Sequence, residues 1–237
     1  MIIQSEAVNV TRSGGATEST FQIKASRKAF DVLSSALYSD KIKAVVRELC
    51  VNGYDSHVAN GNPDTPIEIH LPTQIDPQFY VRDFGTGLSK EDIMGRYETV
   101  ADDNGNTTEV FIPGLYQTFF DSNKTDSNDF VGMLGLGSKS PLSYSSQFMV
   151  ESRHGGMKRS YCVFKNEDGL PVVRLMNEEP LGDEPTGMTI TLAVRPSDVD
   201  KFYSAARKAL MYFTPIPNVV GQSGWTPYAL KHTVSGD

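Results

Sequence analysis

The stretch RELCVNGYDSH, residues 47–57, decides how the rest of this chain is read. It lies inside a helical pattern from about Asp40 to Ala59, whose apolar residues Ile42, Val45, Val46 and Leu49 recur at helical spacing. Glu48, Asn52 and Asp55 stand at i, i+4 and i+7. At ~100° per residue their side chains fall within an arc of roughly 60°, largely apart from the apolar positions. One face packs and the other is chemically equipped. A carboxylate, a carboxamide oxygen and a second carboxylate on one ridge are hard donors for Mg²⁺, an ion usually shared with substrate phosphates. They also provide a base for an attacking water. Taken alone, the same ridge is what a solvated helix face carries.

Downstream, VRDFGTGLS (residues 81–89) ends a strand at Asp83 and continues with Gly85 and Gly87 in D-x-G-x-G spacing. Glycines let backbone approach a flat ligand, and a carboxylate at a strand end accepts a hydrogen bond from an exocyclic amine such as that of adenine. An ordinary turn into a helix capped by Ser89 would read the same way. GMLGLGSKS (residues 132–140) sets Gly132, Gly135 and Gly137 before Ser138 and Lys139. Gly-rich backbone presents N–H groups to an anion, and Lys139 adds a point charge suited to a terminal phosphate. This is not a P-loop, because Leu134 stands where that pattern needs glycine, and no early βαβ unit makes it a Rossmann fingerprint. Thr186 and Gly187 precede the strand MTITLAV, where a threonine hydroxyl would meet a base edge or Asp83.

The chain around these motifs has 237 residues, 39% hydrophobic and 22% charged, with 22 Lys plus Arg against 29 Asp plus Glu for a net charge of -7. That composition suits a globular chain, and the negative balance argues against direct nucleic-acid binding by this segment. No run approaches the ~20 apolar residues of a membrane span, and no leader pattern opens the sequence. Cys50 and Cys162 make neither a disulfide framework nor a zinc site, which fits a reducing cytoplasm. The histidines His57, His70, His154 and His232 show no ligand spacing and read as structural or surface residues.

Residues 1–18 read as a tail or edge segment, followed by a strand near Phe21–Ile23 and a helix capped by Ser26. Strands are expected at 67–71 and 79–83 as a hairpin, then around 147–153, 159–165, 171–176 and 187–194, with a helix starting at Ser197. The polar stretch from Arg96 to Val131 reads as a long, weakly structured lid. Strands outnumber helices and cluster late, so the class is α+β rather than alternating βαβ.

The four motifs in this order resemble the GHKL ATPases, whose Bergerat fold is shared by DNA gyrase B subunits, MutL proteins, heat-shock chaperones, MORC proteins and histidine kinases. Within that superfamily the sequence looks most like the phage rIIA lysis-inhibition proteins, up to about residue 215. The matching stretches are KIKAVVREL, NGNP, RDFGTGLS, PGLY, SNDFVG and GLGSKSP.

The resemblance implies a two-layer α/β sandwich with a mixed, mostly antiparallel sheet and helices on one face. It would span residues 19–215 with a lid at about 96–131, leaving 216–237 as an extension or the start of a downstream domain. It implies ATP and Mg²⁺ as cofactors, with Glu48 as general base, Asn52 as the Mg²⁺ ligand and Asp55 in support. Asp83 would read the adenine amine, Gly85 and Gly87 would admit the base, and Leu88 would pack on it. Gly132, Gly135, Leu136, Gly137, Ser138 and Lys139 would wrap the phosphates, with Lys124 as a lid contact, and Thr186 would complete the adenine pocket through Asp83. The implied activity is ATP hydrolysis, with an ATP-gated switch as the alternative. A homodimer and an unidentified phage or host protein are the implied partners, and the host bacterial cytoplasm, with peripheral contact to the inner membrane left open, is the implied location. A histidine-kinase reading fails for want of a phosphoacceptor histidine.

Overall fold

Asp40 opens the first helix by accepting a hydrogen bond from the Lys43 N–H at 3.0 Å, an N-cap that satisfies one of the free donors of the first turn. This helix, α1, runs Lys41–Ala59 and ends at Asn60, where the Gly/Pro-rich GNPDTP run begins. The computed structural model describes residues 39–101, 106–114, 116, 137–222 and 224–229. The expected tail, the strand near 21–23 and the helix capped by Ser26 lie outside them.

After α1 come β1 (Glu68–His70) and β2 (Gln78–Arg82), the expected hairpin, with Ile69 opposite Val81. A reciprocal capping box between Ser89 and Asp92 starts the short helix α2 (Lys90–Met94). Strands β3 (Arg96–Ala101) and β4 (Thr107–Ile112) form a separate two-stranded sheet. One 3-10 turn at Gly137–Lys139 leads into α3 (Pro141–Tyr144). The strands β5 (Gln147–His154), β6 (Met157–Lys165), β7 (Pro171–Pro180) and β8 (Gly187–Ala193) follow, then α4 (Val199–Ala209) and β9 (Asn218–Val220).

Among the described residues the main sheet has seven strands, in the order β7-β6-β5-β8-β2-β1-β9. Every pairing is antiparallel except β1 with β9. Alternate residues turn one face inward: Phe79 and Val81 on β2, Phe148 and Val150 on β5, Tyr161 and Val163 on β6, Ile190 and Leu192 on β8. The helices cover that face. Phe202 of α4 meets Phe79 with ring centroids 5.1 Å apart and Tyr144 of α3 at 5.3 Å. Burying each such aromatic side chain stabilises the fold by about 2–3 kcal/mol. The class is mixed α+β, as expected from the strand-rich second half.

Two expectations are corrected. The stretch from 96 was read as part of a weakly structured lid, yet Arg96–Ala101 and Thr107–Ile112 pair as the antiparallel strands β3 and β4. Tyr97, Thr99, Val100, Thr107, Thr108, Val110 and Phe111 are β-branched or aromatic, and they pair in register with Tyr97 opposite Phe111. The sheet also does not stop at residue 215: β9, inside the expected C-terminal extension, adds a parallel edge strand with Glu68 opposite Asn218. Parallel pairing across most of the chain leaves no local trace in three residues of sequence. Among the described residues no helix is long and apolar enough to cross a membrane.

Candidate functional site

The ridge of α1 is not a solvated face. Glu48 is partly covered and Asp55 fully buried, and the chain returns from far downstream to lie against the ridge. The contact point is Gly137. A Cβ placed on it would lie 2.9 Å from Glu48 Oε2, 3.1 Å from Asn52 Nδ2 and 3.4 Å from Asn52 Oδ1. Only a residue without a side chain seats there while leaving both groups undisturbed. Glu48 is oriented from the other side, because its Oε1 accepts from Arg47 Nη2 at 2.6 Å and Nε at 3.2 Å. Oε2 is therefore the oxygen turned to the Gly137 loop.

One turn further along α1, Ser56 Oγ donates to Asp83 Oδ1 at 3.1 Å, and the Gly85 N–H donates to the same oxygen at 3.0 Å. The next residue, His57, fixes the strand end. Its Nε2 accepts from the Phe84 N–H at 2.7 Å, so its Nδ1 carries the proton and donates to the Thr65 carbonyl at 2.8 Å. Asp83 is only 7% exposed. Burial raises its carboxyl above the usual range, while hydrogen bonds from Gly85, Met188 and Ser56 pull the other way. A buried carboxylate with little water around it gains from a ligand donor.

The glycines after Asp83 serve the protein first. A Cβ on Gly85 would lie 2.0 Å from Ser56 Oγ, and Gly87 has φ +66° with its Cβ position 2.4 Å from the Arg153 carbonyl oxygen. Each lets this turn close against a neighbour. Leu88 is held by Ser152, whose hydroxyl accepts from the Leu88 N–H at 2.9 Å and donates to its carbonyl at 2.6 Å. The Thr186 hydroxyl donates to the Gly85 carbonyl at 2.6 Å, so it meets the Asp83 turn at its backbone. Gly187 lies against the same turn, where a Cβ would stand 2.1 Å from the Asp83 carbonyl oxygen.

Lys139 is 6% exposed, with its ammonium 5.9 Å from the centre of the Tyr116 ring. Thus Glu48, Asn52 and Gly137 gather at one end, with Lys139 two residues on in the chain, and Asp83, Gly85, Gly87, Leu88 and Thr186 at the other. The helix α1 joins them, through Glu48 and Asn52 at one end and Ser56 at the other. Lys124, Gly132, Gly135 and Leu136 lie outside the described residues. The sequence reading did not single out Ser56 or Ser152, and it held Tyr116 only as the last residue of the PGLY stretch, with no role attached. Ser56 follows Asn52 by four residues on the same helix, a usable signal; Ser152 has none.

No family model matches the chain. Two curated relatives are the chaperone protein HtpG of Wolbachia sp. subsp. Brugia malayi, 28% identical over 74% of this chain, and that of Streptomyces coelicolor, 23% identical over 76%. This likeness supports the GHKL superfamily. The chain spans 28% of the length of each of these relatives. Among solved structures, the ATPase region of Saccharomyces cerevisiae topoisomerase II, bound to ICRF-187 (dexrazoxane), is 16% identical. It matches 66% of this chain and 39% of that one with a TM-score of 0.47.

Proposed function

We propose that this chain binds ATP with Mg²⁺ and hydrolyses it. The observation that carries the reading is the seat of Gly137 against both Glu48 Oε2 and the Asn52 amide, which joins a loop of phosphate-binding composition to a base and a hard oxygen donor. Glu48 takes the proton of the attacking water. Asp83 accepts from the adenine amine, Leu88 lies beside the base, and Gly137, Ser138 and Lys139 face the phosphates, with Asp55 supporting the ridge from beneath.

The residues present fit a magnesium ion of the nucleotide-borne kind. Asn52 offers one carboxamide oxygen, as expected for an ion whose other ligands are water and phosphate. Bound there, Mg²⁺ would neutralise charge on the phosphates.

The test is ATP titration by calorimetry with and without Mg²⁺, alongside phosphate release. Glu48→Ala is expected to keep ATP binding while phosphate release falls by roughly two orders of magnitude or more. Loss of binding together with turnover would overturn the role of Glu48, and binding without phosphate release in the wild type would leave an ATP-gated switch. The finer reading, a phage rIIA-like protein in lysis inhibition or resistance to exclusion, rests on the resemblance of the stretches from KIKAVVREL to GLGSKSP alone. Homodimerisation, a phage or host partner and a host-cytoplasmic location belong to that same reading. The lysis timing of infected cells with and without the chain tests it.

A further inference from the structure

We propose that Tyr116 is a positioning residue of the nucleotide site, whose ring holds the Lys139 ammonium where phosphates arrive. The proposal rests on the ATP-binding reading of this site.

Tyr116 follows Gly114 by two residues, and Gly114 is wedged against the end of α2. A Cβ there would lie 2.7 Å from the Asp92 carbonyl oxygen and 2.7 Å from the Gly95 nitrogen. The backbone is thereby pinned just before Tyr116, whose side chain enters the core at 7% exposure. Its ring stands 5.9 Å from the Lys139 ammonium, inside the ~6 Å reach of a cation–π contact. Its hydroxyl senses the negative charge of Asp83 as well; that charge and, above all, burial push the phenol upward and keep it un-ionised, so the ring carries no charge of its own.

One aromatic side chain therefore faces the Lys139 ammonium and feels the Asp83 carboxylate. A buried lysine loses its hydration, and an electron-rich ring face replaces part of what water supplied. The effect should concern phosphates and not the base, because the partner of the ring is the cation.

The discriminating experiment titrates ATP and adenosine against the wild type, Tyr116→Phe, Tyr116→Leu, Lys139→Met and the Tyr116→Leu/Lys139→Met double variant, with thermal melts of each. Tyr116→Phe keeps the ring face and should bind ATP like the wild type. Tyr116→Leu should weaken ATP binding about fivefold to tenfold, the scale of one cation–π contact, and leave adenosine binding unchanged. In the Lys139→Met background the same change should have no further effect. Equal loss of ATP and adenosine, additive losses in the double variant, or unchanged ATP binding in Tyr116→Leu would each overturn the proposal. Wild-type protein that binds neither ligand would instead sink the ATP reading itself, and this inference with it.

Discussion

Asp83 sits where little water reaches it, and burial raises its pKa above the ordinary 3.8 even with three donors aimed at it. A carboxyl whose folded-state value is raised holds its proton more firmly folded than unfolded. Its contribution to stability is full below the unfolded value and is lost as pH rises through the folded one. The wild type is therefore expected to gain stability relative to Asp83→Asn as pH falls from 7 toward 3.8. Thermal melts of both proteins across that range check this; a constant difference would mean that the carboxyl titrates as it does in the unfolded chain. At pH 7 the same variant should bind adenosine roughly tenfold or more weakly, the scale of one hydrogen bond to a charged group. Glu48, Asn52 and Asp83 were legible because their residue types and spacing carry chemistry on a helix and at a strand end. Ser56 and Ser152 were not, since a serine announces nothing until its partner is near.

At the scale of elements, the turns between strands and helices bear the strictest demands. Gly87 combines φ +66° with an Arg153 carbonyl oxygen 2.4 Å from where a Cβ would stand, whereas Gly155, at φ +59°, has nothing within 4 Å. Gly87→Ala is expected to cost about 2 kcal/mol or more, since backbone strain and a backbone clash add, and Gly155→Ala only about 1 kcal/mol. Urea unfolding midpoints of the two variants measure the contrast, and similar losses would show that the β5 backbone yields.

Asp198, ahead of α4, accepts from Lys201 at 2.7 Å and from the Tyr144 hydroxyl of α3 at 2.9 Å. These bonds, the lysine first, hold its carboxyl below 3.8. A lowered folded value stabilises above the unfolded pKa and fades as pH falls through the folded one. Asp198→Asn should therefore lower the melting temperature near neutral pH, with the deficit vanishing in strong acid. A deficit that persists there would assign the effect to shape and not charge. The helix α1 and the later strands were readable from periodicity, and the N-cap at Ser89 from its residue type, whereas its reciprocal bond with Asp92 came from the structure. The pairing of β3 with β4 was hidden because the polar sequence at 102–106 outweighed the β-forming residues on either side.

Across the whole molecule, the order of local patterns already determined an α+β class, a chemically equipped helix ridge and a carboxylate turn. These follow from helical and strand periodicity and from residue chemistry, which act over a few neighbours. Only the tertiary structure decided that Gly137 closes on Glu48 and Asn52, that Thr186 serves the Gly85 carbonyl, that β9 extends the sheet and that the Tyr116 ring faces the Lys139 ammonium. Each of those joins residues far apart in the chain, where the pairing is set by which buried surfaces and hydrogen-bond partners can be satisfied together once the core has formed.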